Sequence, residues 1–143
     1  MEKKGARLFR QGNGLLGNIV ELDSRRQLRL KVNELIRLVN DPTLTTREIQ
    51  EHLLIGAATF GKLFAAQLVR SLHRDDPQER QSLVWLLTML NDITAISPLT
   101  RMSHNPQLPR PVRLSASLAL AGMGATSVLI EGSRRQPRLY AIS

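Results

Sequence analysis

The sequence predicts an all-α chain of stacked helix pairs, and three observations predict it. Arg47, Arg80 and Arg113 stand thirty-three residues apart, and each opens an apolar stretch of helical period: Arg47 to Ile55, Arg80 to Leu90, Arg113 to Met123. Before each stretch runs a segment that ends in polar residues and proline: Asn40-Asp41-Pro42, Asp75-Asp76-Pro77 and His104-Asn105-Pro106. Aromatic residues make up only 3% of the chain against 42% hydrophobic, so the core must be Leu, Ile, Val, Ala and Met. That suits thin helix-on-helix layers. Self-similarity at a fixed period of about 20 to 50 residues marks stacked repeats, here an α-solenoid of antiparallel helix pairs with a period of about 33.

The elements follow in order. Residues 1–22 mix Lys3, Lys4, Arg7 and Arg10 with Gly12, Gly14 and Gly17 and read as a flexible basic segment, with at most a helical turn around Leu15 to Val20. The glycines break the apolar stretch, so no signal peptide is expected. The helical repeat domain spans residues 23–131. Its first helix is expected from a cap at Asp23 or Ser24 to about Val39, with Leu28, Val32, Leu35, Ile36 and Val39 on one stripe. Asp41-Pro42 ends it, because proline disfavours helix in the residue before it.

Thr45 and Glu48 have the spacing of a capping box. The helix they open is expected to reach Gly56 with Ile49, Leu53 and Leu54 inward. A turn at Ala57 to Thr59 then leads to a helix from Phe60 to His73, burying Leu63, Phe64, Leu68 and Leu72. Asp76 caps the next helix with Pro77 at its first position, and Leu83, Val84, Leu86, Leu87 and Leu90 face inward to about Leu90. A helix over Ile93 to His104 is expected to bend at Pro98, which lacks an N–H. Pro111 opens a last helix through Leu114, Ala116, Leu118, Ala119, Leu120, Ala121 and Met123. That helix is apolar nearly all round, so it must be covered on more than one side. Its cover would be Ser127 to Ile130, with Leu139, Tyr140 and Ile142, or another chain. Residues 132–143 form a basic tail.

Helix, tight turn, helix at this period resembles the short bacterial HEAT-like repeats, also found in phycobilisome lyases. The residues that carry the likeness are Asp76-Pro77-Gln78-Glu79-Arg80 with Ala95-Ile96-Ser97-Pro98-Leu99, and Pro111-Val112-Arg113 with Leu118-Ala119-Leu120-Ala121-Gly122-Met123-Gly124-Ala125. The resemblance covers roughly residues 24–131. It implies a right-handed superhelix used as a scaffold or protein-binding surface. It also raises the reading of an accessory subunit of a lyase, though no local motif carries that activity over.

Function is less legible than fold. The chain has no cysteine, which excludes disulfides, thiolate metal sites and cysteine nucleophiles and fits a reducing cytoplasm, the expected location. No run of about 18 apolar residues offers a membrane span. Ser115 and Ser117 have no histidine near them in sequence, and Asp75 and Asp76 sit on a loop beside arginines, so no enzyme and no cofactor is expected. His73 and His104 hold equivalent repeat positions; with no i, i+4 His pair and no thiolates, they read as helix-end residues favoured by the dipole and not as metal ligands.

The expected function is a non-catalytic scaffold that binds another protein. Arg47, Arg80, Arg113 and Trp85 are its candidate contacts. The arginines have a competing structural reading, as first-turn cations paired with Glu48, Glu79 or Asp92 of a neighbouring repeat, and Trp85 reads equally as core or interface anchor. A stack this short leaves its terminal faces exposed, so contact between copies is a further expectation. The net charge of +8 sits at the ends: cations outnumber acids nine to four over residues 1–40 and four to one over 111–143. The alternative is therefore nucleic-acid or anionic-surface binding through Arg25, Arg26 and Arg29 and through Arg134, Arg135 and Arg138.

Overall fold

The computed structural model describes residues 22–125. All the regular structure in them is helical, in six α-helices and two short 3-10 turns. The readings on Leu15 to Val20, on Ser127 to Ile130 and on the tail with Leu139, Tyr140 and Ile142 lie outside the described residues.

Helix α1 covers residues 22–39. Leu28, Val32, Leu35 and Ile36 are buried, the stripe expected from their spacing. Asp23 and Ser24 lie within the helix and do not cap it. Asn40 closes its far end: the side-chain Nδ2 donates to Ile36 O at 2.7 Å and to Ser82 Oγ at 3.0 Å. In the loop beyond, the Asp41 carboxylate accepts from the Thr43 hydroxyl at 2.7 Å and the Thr43 N–H at 2.9 Å. Those bonds favour the charged form and hold its pKa below the usual carboxylate value.

Helix α2 spans Thr46–Phe60 and opens on the expected capping box, with Glu48 N–H donating to Thr45 Oγ1 and Thr45 N–H to Glu48 Oε1. It does not stop at Gly56. That glycine is buried inside the helix because its missing side chain leaves room for the Phe64 ring, whose edge atoms would lie 2.8 Å from a Cβ there. The break comes at Gly61, where φ 61° and ψ −137° suit glycine alone. Helix α3, Lys62–Arg70, leaves at a bend of 116°, well short of a full reversal, and ends in a 3-10 turn, Ser71–His73. The later start rotates the buried face: Phe64, Leu68 and Leu72 are inside, while Leu63 is 60% and Leu54 54% exposed.

Helix α4, Pro77–Leu90, begins as expected, with Asp76 accepting from Gln78 N–H at 2.9 Å and Pro77 where no N–H is needed. Leu83, Leu86 and Leu87 are buried, and Asn91 ends the helix in the left-handed conformation. After a 3-10 turn, Ile93–Ala95, comes α5, Ile96–Ser103. Pro98 is its third residue, inside the first turn where N–H groups are unpaired anyway, so it removes no hydrogen bond. Helix α6 is Arg110–Gly122.

The core runs continuously through Leu35, Leu53, Phe64, Leu68, Leu86, Leu99 and Ala116. Helix α4 touches both α2 and α6, and α3 touches α5. Helix α5 packs chiefly on α6, with a smaller contact on α3 and less on α4.

Candidate interaction surface

Helices α4 and α6 lie side by side and parallel. Pro77 and Pro111, Gln81 and Ser115, Val84 and Leu118 line one groove together, and further along Thr88 meets Gly122. Each pair is thirty-four residues apart, one more than the spacing of the arginines. The groove encloses about 390 Å³, and Arg80 and Leu114 complete its wall.

Its apolar lining comes from an inverted pattern on α6. Ala116 and Ala119 face inward, where small side chains let the backbone approach closely, with Val112 and Leu120 beside them. Leu114 and Leu118, one turn apart, stay 55% and 52% exposed. A helix that serves only the core places its large apolar residues inside. Exposed apolar surface in a concave site is where protein or ligand contact is expected.

Two other recesses lie along α1. The cleft of about 690 Å³ between α1 and α4 is lined by Asn33, Arg37, Asn40, Asp41, Asp76 and Gln78 among others. Several of its polar groups bond one another or the neighbouring Arg74: Gln78 Nε2 donates to Asn40 Oδ1 at 3.0 Å, Arg74 donates to Asn33, and Arg74 Nη1 lies 3.5 Å from Glu79 Oε1. This is a hydrogen-bonded seam. The second, of about 460 Å³, lies between α1 and the end of α2 at Leu30, Ile55, Thr59 and Phe60.

The arginine series does not form a row of open guanidinium groups. Arg80 and Arg113 are each the fourth residue of their helix, and both fold back on the preceding loop. Arg80 Nη1 donates to the carbonyls of Arg74 at 2.8 Å and Asp75 at 2.9 Å, and Arg113 Nε to that of Leu108 at 3.2 Å. Loop carbonyls, and not the acids of a neighbouring repeat, offset the unfavourable position of a cation near a helix N-terminus. Arg47 is only the second residue of α2, with its side chain 89% exposed and its Nε 3.9 Å from Glu51 Oε2. Replacing Arg80 or Arg113 with alanine is expected to cost about 1–2 kcal/mol each, and Arg47 less than about 0.5 kcal/mol, by urea unfolding.

Trp85 is half-buried on the side of α4 that faces α1, in a recess with Val39, Asn40, Gln78, Gln81 and Ser82. Of the four candidate contacts, Arg80 alone lines the α4–α6 groove. Arg25, Arg26 and Arg29 are exposed on α1; Arg134, Arg135 and Arg138 lie outside the described residues. His73 and His104 are exposed, and among the described residues no group of three His, Cys, Asp or Glu is placed to hold a metal ion. No single helix among them is long and apolar enough to cross a membrane. Leu114 and Leu118 escaped the sequence reading as contacts because that reading followed charge, although the all-round apolar character of α6 was the signal. Comparison of the chain with protein-family models, with curated proteins and with solved structures finds no match in any of the three.

Proposed function

We propose that this chain is a non-catalytic protein-interaction module, built as a short right-handed α-solenoid of HEAT-like helix pairs, that grips another protein through the α4–α6 groove. One observation carries the reading: Leu114 and Leu118 are half exposed in a concave, proline-flanked groove while alanines fill the inner face of the same helix. Two features support the repeat assignment. The α4 and α6 helices are parallel, and Arg80 and Arg113, thirty-three residues apart, each donate to carbonyl oxygen of the preceding loop. Arg80 stands at one end of the groove, while Arg47 and Trp85 lie on other faces.

A second reading, binding to nucleic acid or an anionic surface, is favoured by the exposed Arg25, Arg26 and Arg29 on one helix. Affinity capture from a native lysate at low and high salt, with wild type and Leu118→Glu in parallel, separates the two. Leu118 is exposed, so the variant is expected to keep its helicity and urea midpoint. A discrete protein held at both salt concentrations and weakened at least about tenfold by Leu118→Glu is the expected result. A captured set indifferent to Leu118→Glu would falsify the groove. Nucleic acid released steeply as salt rises would favour the α1 arginines.

A further inference from the structure

The α4–α6 groove is charged at one end only. Helices α4 and α6 both begin there, and Arg80 and the exposed Arg110 stand beside Pro77 and Pro111. Helix α4 has acids there, Asp76 as cap and Glu79 in the first turn, but both line the cleft toward α1; helix α6 has none, since Pro109 supplies no side-chain cap and the first turn holds no acid. Among the described residues, the Arg110 side chain makes no hydrogen bond or ion pair. At the other end stand Thr88 and Gly122, uncharged. The fitting occupant is therefore an apolar helical face with carboxylates about one turn before it.

The chain itself presents such a face. On α2, Glu48 and Glu51 in the first turns precede Leu54 and Ile55, which are 54% and 56% exposed, with the small, exposed Ala58 one turn on. Nothing in the packing of α2 uses Leu54. The exposed face of α2 and the α4–α6 groove thus match in both hydrophobicity and charge. The chain's own residues 126–143 match worse, bringing Arg134, Arg135 and Arg138 against Glu131 alone.

We infer that the α4–α6 groove of one copy receives α2 of a second copy. Leu54 sits between Val84, Leu114 and Leu118, Glu51 meets Arg110, and Glu48 meets Arg80. This inference rests on the groove being an interaction site and names its partner. The contact joins two different surfaces, so each copy keeps one of each free and assembly runs head to tail.

Sedimentation of the full-length protein tests it. The weight-average mass is expected to rise past that of a dimer with concentration, with a dissociation constant between about 1 μM and 1 mM, the range of small interfaces. Leu54→Glu and Leu118→Glu, both at exposed positions, should each leave monomers. Arg110→Glu and Glu51→Arg should each weaken association roughly fivefold, and mixing those two variants should restore it, because every contact between unlike copies then pairs opposite charges. Monomers at all concentrations would overturn the contact, leaving the groove itself to the capture experiment. So would association that ignores Leu54→Glu, or charge-swap variants that fail to rescue each other.

Discussion

Replacing Phe64 with alanine is expected to lower the unfolding free energy by about 3–5 kcal/mol, the range for large aromatic truncations in closed cores. Phe64 is the largest fully buried side chain among the described residues, at 0% exposure. It stands in the first turn of α3, just after the Gly61 break, and its ring fills the slot left by Gly56 on α2. It also stacks on Phe60, ring centroids 6.5 Å apart. The ring thus holds the 116° corner between the two helices, and deleting it removes packing on both sides at once. The site cannot collapse easily, because α2 is pinned by its capping box and α3 by Leu68 and Leu72. Urea unfolding followed by helical circular dichroism measures the loss. A cost below about 1.5 kcal/mol would mean that the corner is held by Gly61 and the backbone, with Phe64 incidental.

The same corner shows where the sequence was legible. Capping at Thr45 and Glu48, and at Asp76 and Pro77, could be read because each motif satisfies N–H groups within four residues of itself. Gly56 was misread as a helix end, since glycine often stops helices; its purpose is set by Phe64, eight residues on and in another helix. Leu54 and Leu63 followed it to the wrong side. Asp23 and Ser24 have the chemistry of caps, yet the helix runs through them. Pro98 was expected to bend its helix, but the 3-10 turn before it moved the helix start and made the proline harmless.

The groove was half legible for a related reason. A helix apolar all round is visible in sequence, but which side its neighbours cover is decided by the partner helices. The thirty-three-residue spacing pointed to the arginines, and their repetition is real in Arg80 and Arg113. Both side chains close the loop before their helix, so their recurrence reports a structural need and not a row of contacts. Leu114 has no apolar counterpart on α4, where Arg80 holds the matching place, so it carries no periodic signal.

The register of α4 and α6 yields the second large effect. Gly122→Ala is expected to destabilise the fold by about 2–3 kcal/mol, toward the upper part of the overpacking range. On an open helix the same change would be neutral or stabilising by up to about 1 kcal/mol, because alanine restricts the unfolded chain. The sign therefore reports the contact. A Cβ at position 122 would fall well inside van der Waals distance of Thr88 Oγ1, and 3.0 Å from its Cγ2. Thr88 cannot swing away freely, since its β-branched side chain has few rotamers in a helix. Separating the helices instead would open the groove between Val84 and Leu118. Thr88→Ala deletes both clashing atoms and leaves only its Cβ, 3.1 Å from the new methyl. In that background Gly122→Ala should cost less than about 0.5 kcal/mol, a coupling typical of residues in direct contact. If both backgrounds give the same cost by urea unfolding, the parallel register of α4 and α6 is wrong, and the groove built on it goes too.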